Sequence, residues 1–472
     1  MQLSLSSENA HPLVEQIVSA VRAQIDDRLL RPGTRLPAIR QLAERHGISR
    51  FTVVEAYDRL VAQGYLQSRR GAGFFVSPRD EAPSAALPAA QRQRAIDVAW
   101  LMRRSLSAPP GMLSASVGWL PPGWLDNDAV SKAVRQLTRG QDHSVRFGCY
   151  GEPNGFLPLR EQLRITLAGI GVEARPEQIV LTLGATQALD IVARFYLRAG
   201  DTVLVDDPGY FNLFGALRLL GANLIGVPRG EDGPDTQALE QLAIAHKPKL
   251  FITHSVMHNP TCSNLSPATA YRMLQVAERQ DFMIVEDDTY GDFHSGPAAR
   301  LAALDQLQRV IYISSFSKTL SANVRVGYLA CSPDLADELA DIKLLTSVST
   351  SEFTEQIIHR LLIEGHYRKH IERLQGRLAE QSVRTARMLE GAGLQFRHPD
   401  GGVFIWAKVP DIEDATPVAE QAEQAGILLA PGKIFRPQLQ ASPYLRINVA
   451  YANDVRLERF LHKRRTDAGA AT

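Results

Sequence analysis

The sequence predicts a multidomain chain. A small α+β head of three helices and a hairpin precedes an α/β body with a seven-stranded, mostly parallel sheet and a smaller C-terminal α/β subdomain. Three observations predict it. Residues 13–63 carry apolar positions at helical spacing in three separate runs, closed by two short strand-like stretches around a glycine-rich tip. From residue 178 onward short apolar runs alternate with helical stretches, the pattern of parallel strands joined by helical crossovers. After about residue 335 the pattern changes to a long helical region and then three more strands.

In the head, Pro12 suits a first-turn position, and Leu13, Ile17, Val21 and Ile25 fall on one helical face. The Arg31-Pro-Gly-Thr34 turn stops this helix. A second short helix is expected from about Ala38 to His46, and His46-Gly-Ile-Ser49 turns the chain. A third runs from Arg50 to about Gln63, with Val53, Ala56, Tyr57 and Leu60 as its apolar face. Gly64 to Val76 reads as two short strands tipped by Gly71 and Gly73. Three helices plus a hairpin make a winged helix-turn-helix, assigned to residues 1–77. Residues 78–95, with Pro78, Pro83 and several alanines, lack apolar periodicity and read as a linker.

The body is assigned to 96–468, its large part about 145–335 and its small part about 96–144 and 336–468. A helix is expected near Ile96, from Val98, Leu101 and Met102. Strands are expected at 179–183, 202–206, 224–228, 249–253, 282–286, 310–314 and 326–330, then near 402–408, 427–430 and 444–450.

Composition bounds the function. The 472 residues exceed one ordinary domain, and 45% hydrophobic with 22% charged residues suits a globular protein with a large core. No apolar run approaches a membrane span, and Met1-Gln-Leu-Ser-Leu-Ser-Ser lacks the basic and apolar regions of a secretory signal. Cys149, Cys262 and Cys331 are scattered without metal-ligand spacing, so no metal, no disulfide framework and a reducing cytoplasm are expected. Net charge is +1, but residues 1–79 hold eleven arginines against seven acids, a local +4 that leaves −3 for the rest. A basic head on a slightly acidic body suits a head that meets a polyanion.

The segment Ser314-Ser-Phe-Ser-Lys-Thr-Leu-Ser-Ala-Asn-Val-Arg-Val-Gly-Tyr328 places Lys318 among small hydroxyls, with Arg325 seven positions on, just after an apolar strand. A lysine there can form a Schiff base, while the hydroxyls and arginine suit a phosphate. The combination reads as an anchor for pyridoxal phosphate.

In the head, Gly33-Thr-Arg-Leu-Pro-Ala-Ile-Arg-Gln-Leu-Ala43, Gly47-Ile-Ser-Arg-Phe-Thr-Val53, Ala56-Tyr-Asp-Arg-Leu60 and Gly71-Ala-Gly-Phe-Phe-Val76 together resemble a GntR-type winged helix over residues 11–76. Ser49 can cap the recognition helix, and Arg50 and Thr52 in its first turn project where base edges and phosphates lie. Arg40 on the preceding helix suits the DNA backbone. Arg69, Arg70 and Gly73 suit a wing at the minor groove or phosphates. Ala38 stands where the family more often has serine.

From about residue 145 the chain resembles fold-type I, class I aminotransferases. Leu183-Gly-Ala-Thr-Gln187 lies at a strand-to-helix junction, where Ala185 and Thr186 can hold a phosphate on a helix N-terminus. Asp206-Asp-Pro-Gly-Tyr210 supplies Tyr210, a core tyrosine or, as the resemblance implies, one stacked on the pyridine ring. His258-Asn-Pro-Thr261 supplies Asn259 for the phenolate oxygen, although Cys262 follows where the family has glycine. Val285-Glu-Asp-Asp-Thr-Tyr290 places Asp287 three before Tyr290, the family spacing for a carboxylate on the pyridine nitrogen and a tyrosine on the phenolate oxygen. That spacing selects Asp287 over Asp288. Lys318, Ser315, Ser317 and Arg325 match the Schiff-base lysine and phosphate ligands. Phe147 to Gly155 resembles the segment whose tyrosine, here Tyr150, reaches the other subunit's cofactor, which implies a homodimer. Leu445-Arg-Ile-Asn448 resembles the strand whose arginine, here Arg446, clamps a substrate or effector carboxylate.

Taken together the chain resembles MocR-type regulators of the GntR superfamily. The resemblance implies a cytoplasmic, homodimeric regulator of promoter DNA that senses an amino compound or pyridoxal phosphate at Lys318. An active aminotransferase with a DNA-binding head is the alternative.

Overall fold

The structure, a computed structural model, describes residues 12–26, 30, 32–69, 72–77, 103, 106–107, 109, 111–139, 148–398 and 401–469. The expected linker at 78–95, the helix near Ile96 and Arg70 lie outside the described residues. The chain divides into two compact units, 1–92 and 93–472.

The first unit contains α1 (Leu13–Asp26), α2 (Ile39–His46), α3 (Arg50–Ala62), β1 (Leu66–Arg69) and β2 (Gly73–Val76). Apolar spacing sets the packing, and Ile17, Val21, Leu42, Val53, Ala56, Tyr57, Leu60 and Val76 close into one buried cluster. Burying each large side chain contributes ~1.5–3 kcal/mol. Gly47 ends α2 with φ +63, donating its N–H to Ala43. Ser49 starts α3 by accepting the Thr52 N–H at 3.0 Å. The two strands pair antiparallel, Leu66 opposite Val76 and Arg69 opposite Gly73.

The second unit is built on an eight-stranded sheet. In chain order its strands are β3 (Leu113–Ser114), β4 (Ile179–Thr182), β5 (Thr202–Asp207), β6 (Asn223–Gly230), β7 (Gly233–Pro234), β8 (Leu250–Thr253), β9 (Met283–Asp287), β10 (Val310–Ser315) and β11 (Gly327–Ala330). The large sheet runs β4-β11-β10-β9-β8-β5-β6-β7, and β3 stands outside it. Pairs β5–β6, β5–β8, β8–β9 and β9–β10 are parallel, whereas β11 is antiparallel to both β10 and β4. The sequence predicts seven strands, and the eighth is β7, a two-residue turn-back on the end of β6. Two residues carry no readable period.

Alternate residues of each central strand feed different cores. Val310 and Tyr312 enter one cluster, and Ile311 and Ile313 the other. Both faces are therefore covered, as parallel sheets require.

The remaining strands are β12 (Phe404–Lys408), β13 (Ile427–Leu428), β14 (Ala430–Pro431) and β15 (Tyr444–Asn448). They form a three-stranded sheet, β12-β15-β14, while β13 pairs with β3. The single strand expected at 427–430 is thus split between two sheets. The strand expected at 444–450 stops at Asn448, whose side chain accepts the Ala450 N–H and opens the helix Val449–Ala452. Helices Asn127–Arg139 and Glu352–Ile363, which the sequence groups with the small part, pack Ala133 and Ile358 into the cluster under the large sheet. Among the described residues no helix is long and apolar enough to cross a membrane.

Candidate functional site

Strands β4, β5, β8, β9 and β10 run in one direction, so their C-terminal ends open on one edge of the sheet. Ligands of open α/β sheets sit at such an edge. Here a cavity of about 60 Å³ is lined by Ala185, Thr186, Tyr210, His254, Asn259, Asp287, Thr289, Tyr290, Ser315, Ser317, Lys318 and Arg325. Ten of these were singled out from the sequence, and tertiary folding brings them together from five separate loops.

One end of the cavity is built for an anion. Gly184 has φ +84, and a Cβ there would stand 2.9 Å from the Arg325 guanidinium. Only glycine lets that arginine approach the first turn of helix Ala185–Tyr196, whose leading N–H groups have no intrahelical partners. Arg325, itself at φ +52, donates to Ser317 Oγ at 3.1 Å and to the Leu183 carbonyl at 2.6 Å. Ser315 Oγ donates to Ser317 Oγ at 3.0 Å.

The other end carries a fixed carboxylate. Asp287 Oδ1 accepts from the Thr289 N–H at 3.0 Å, and Oδ2 stands 3.5 Å from His254 Nε2. Asp288 serves a different purpose, accepting from Arg300 at 2.8 Å and from the Tyr312 hydroxyl at 2.7 Å. Behind His254 lies a buried network. Arg229 donates to Asp206 Oδ2 at 3.1 Å, and Thr253 donates to the same oxygen at 2.8 Å. Burial pushes the Asp206 carboxyl up, but Arg229 and His258 outweigh it and hold it down at about 2. Burial and the Arg229 charge push His258 down to about 3, so its ring is neutral near pH 7. Asp206, His254 and His258 approach one another at metal-ligand range, but Arg229 already places a fixed cation on Asp206.

Lys318 has no hydrogen-bond or ion-pair partner among the described residues, and its Nζ lies 5.9 Å from the Tyr290 ring centroid. Burial, then the positive charge of Arg446, lowers its pKa to about 8. Tyr290 donates to the Gly118 carbonyl at 2.8 Å.

Arg446 on β15 is buried and donates to Asn259 Oδ1 at 2.6 Å and to the Ser116 carbonyl. Its Nε has no hydrogen-bond partner, and the guanidinium carbon lies 4.3 Å from the Phe404 ring centroid and 4.9 Å from that of Phe435. Among the described residues no carboxylate pairs with it. Burial lowers its pKa to about 10, so it stays charged near pH 7.

Cys262, where the resembled family has glycine, keeps the glycine conformation. It adopts φ +53, and its Sγ accepts the Phe404 N–H at 3.3 Å. Tyr150 is 82% exposed and lines no part of this cavity.

In the first unit, Ser49 also meets Thr52 Oγ1 at 2.8 Å, so both belong to the start of α3. Arg40 and Arg50 are exposed and converge on Glu44, at 2.7 and 3.9 Å. Arg69 lies 4.8 Å over the Phe75 ring, and Gly73 takes φ +102 beside the Arg35 side chain. Sequence reasoning missed His254, Thr289 and Arg229. A histidine pair at i and i+4 ending a strand was a readable signal for His254, whereas Arg229 carried none.

Residues 123–463 match the family described as aminotransferase class I and II, and residues 13–76 match bacterial regulatory proteins of the gntR family. The chain is 31% identical to the probable rhizopine catabolism regulatory protein MocR of Rhizobium meliloti, over 78% of this chain and 76% of that protein. It is 27% identical to the uncharacterized HTH-type transcriptional regulator YdfD of Bacillus subtilis, over 94% of this chain and 93% of that one. The crystal structure of LysN, an alpha-aminoadipate aminotransferase of Thermus thermophilus complexed with N-(5'-phosphopyridoxyl)-L-leucine, is similar with a TM-score of 0.70. It has 27% identity and covers 79% of this chain and 95% of LysN.

Proposed function

The chain belongs to the aminotransferase class I and II family and opens with a GntR-type head of the kind found in MocR-type regulators, and from that premise we propose that it is a pyridoxal-phosphate-dependent transcriptional regulator. It binds promoter DNA through residues 1–77 and senses an amino compound, or the cofactor itself, at Lys318. The observation that carries this reading is the presence in one chain of a lysine-bearing cavity and a helix-turn-helix with exposed Arg40 and Arg50.

The cavity suits the cofactor on its own terms. The Arg325 guanidinium, Ser315, Ser317 and the first turn at Ala185 and Thr186 form a cradle for a phosphate. Asp287, steadied by Thr289 and His254, would hold a proton on a pyridine nitrogen. Tyr210 would stack on the ring, and Asn259 and Tyr290 would hold its phenolate oxygen. Arg446, buried with an unpartnered Nε and no carboxylate, would take an effector's carboxylate as a bidentate fork. Pyridoxal phosphate supplies an aldehyde that amines capture reversibly and a ring that withdraws electrons. Lys318 would supply the amine, its pKa lowered to about 8 by burial and by Arg446 so that a minor fraction is neutral near pH 7, and would give way to an amino effector.

We further propose that it acts in the cytoplasm as a homodimer in which Tyr150 reaches the partner's cofactor phosphate. Its 82% exposure in the single chain supports this. Arg40, Ser49, Arg50, Thr52, Arg69, Arg70 and Gly73 are the residues proposed to meet the duplex.

A second reading, an active aminotransferase, is favoured by the full set of Lys318, Asp287 and Arg446 around one site. One experiment separates them. Binding to the duplex upstream of the protein's own gene is measured with and without a panel of amino acids, while cofactor absorbance is followed. An amine that changes both supports the regulator, whereas turnover of amino acid and keto acid without DNA binding overturns it.

A further inference from the structure

Phe51 is 75% exposed, and no other large apolar side chain is so exposed among the described residues of the first unit. It is the second residue of α3, flanked by Arg50 and Thr52. The buried face of α3 is Val53, Ala56, Tyr57 and Leu60. At 100° per residue, Phe51 stands roughly opposite that face. Further along that outward side, Glu55 is paired with Arg59 at 2.7 Å and Asp58 presents a carboxylate, which a phosphate backbone disfavours. The first turn of α3 is therefore the part best suited to enter a nucleic-acid groove.

A lone phenylalanine among arginine, serine and threonine is no protein-docking patch, which would need contiguous apolar surface. The local charge of +4 over residues 1–79 favours a polyanion instead. In the major groove the thymine 5-methyl group is the most prominent apolar feature of the base edges. We propose that Phe51 is a specificity-determining residue that reads thymine by packing on that methyl in the major groove. This rests on the proposed binding of duplex DNA.

The test uses the full chain and its own upstream duplex, with every thymine kept or replaced by deoxyuridine, which pairs identically but lacks the methyl. Removing one buried methyl should weaken wild-type binding about fourfold per half-site, and single replacements should map the loss to one position in each. F51A should bind the thymine duplex correspondingly weaker and lose nothing further on the uracil duplex, whereas F51L should keep part of the discrimination. A helical spectrum and melting temperature like wild type would show that F51A folds, as its exposure predicts. Equal wild-type affinity for both duplexes, or an F51A protein that still discriminates, overturns the inference while leaving DNA binding intact. Failure to bind either duplex overturns the DNA-binding reading with it.

Discussion

His254 Nε2 stands 3.5 Å from Asp287 Oδ2 at the end of β9, and the opposite oxygen of the same carboxylate is fixed by the Thr289 N–H. The carboxylate that faces the cavity is thus held from two sides, one of them a residue with no place in the sequence motif. Its angle to a bound ring depends on both. His254→Leu should leave the fold intact and loosen cofactor retention about five- to tenfold, the loss of one polar contact worth about 1 kcal/mol. Equilibrium dialysis with pyridoxal phosphate measures this, and unchanged retention would remove His254 from the site.

Lys318 is held at about 8 by burial and by Arg446. Below that pH the amine is mostly protonated and unreactive, so capture of a pyridoxal aldehyde should rise with pH and level off above about 8. Substituting methionine for Arg446 removes the nearby positive charge, and the midpoint should move upward. Stopped-flow absorbance across pH gives both curves. A midpoint that stays put or falls would contradict the electrostatic origin of the shift.

Arg446 is a buried cation without a carboxylate partner among the described residues, and this has opposite consequences for stability and binding. Arg446→Met should be stability-neutral or stabilising by up to ~1–4 kcal/mol, read as the urea midpoint. The same variant should weaken amino-acid effectors by about 100-fold, as expected when a buried charge pair loses one member, while amines without a carboxylate bind as before. Equal loss for both ligand types would assign Arg446 a purely structural role.

Glu44 competes for the two arginines proposed to meet DNA, accepting from Arg40 at 2.7 Å and standing 3.9 Å from Arg50. These pairs are solvent-exposed, so each is worth at most ~1 kcal/mol. Glu44→Gln should therefore tighten duplex binding by up to about fivefold in low salt, with the gain fading as salt rises. Fluorescence anisotropy would detect it, and weaker binding by the variant would mean that Glu44 positions the arginines for DNA.

The longer strands of the large sheet were readable as short apolar runs, most of them buried on both faces, with the partly exposed β6 the exception. Lys318, Asp287 and Arg325, which line the cavity, stood out because each belongs to a short motif whose spacings lie within its own loop. The split of residues 427–430 into two sheets was not readable, because two-residue strands carry no period.

By itself the sequence determined the order of parts: a basic helical head, an alternating α/β body and a lysine among small hydroxyls just after a strand. Local patterns suffice for that, since periodicity, turns and short motifs act over a few residues. Only the tertiary structure decided which groups meet. Arg446 reaches Asn259 across 187 residues of chain, and the Ser116 carbonyl across 330. His254 reaches Asp287, and Asp288 is withdrawn to Arg300 and Tyr312. Such meetings depend on strand order and on what burial forces each charge to find, and neither quantity is written within any one segment.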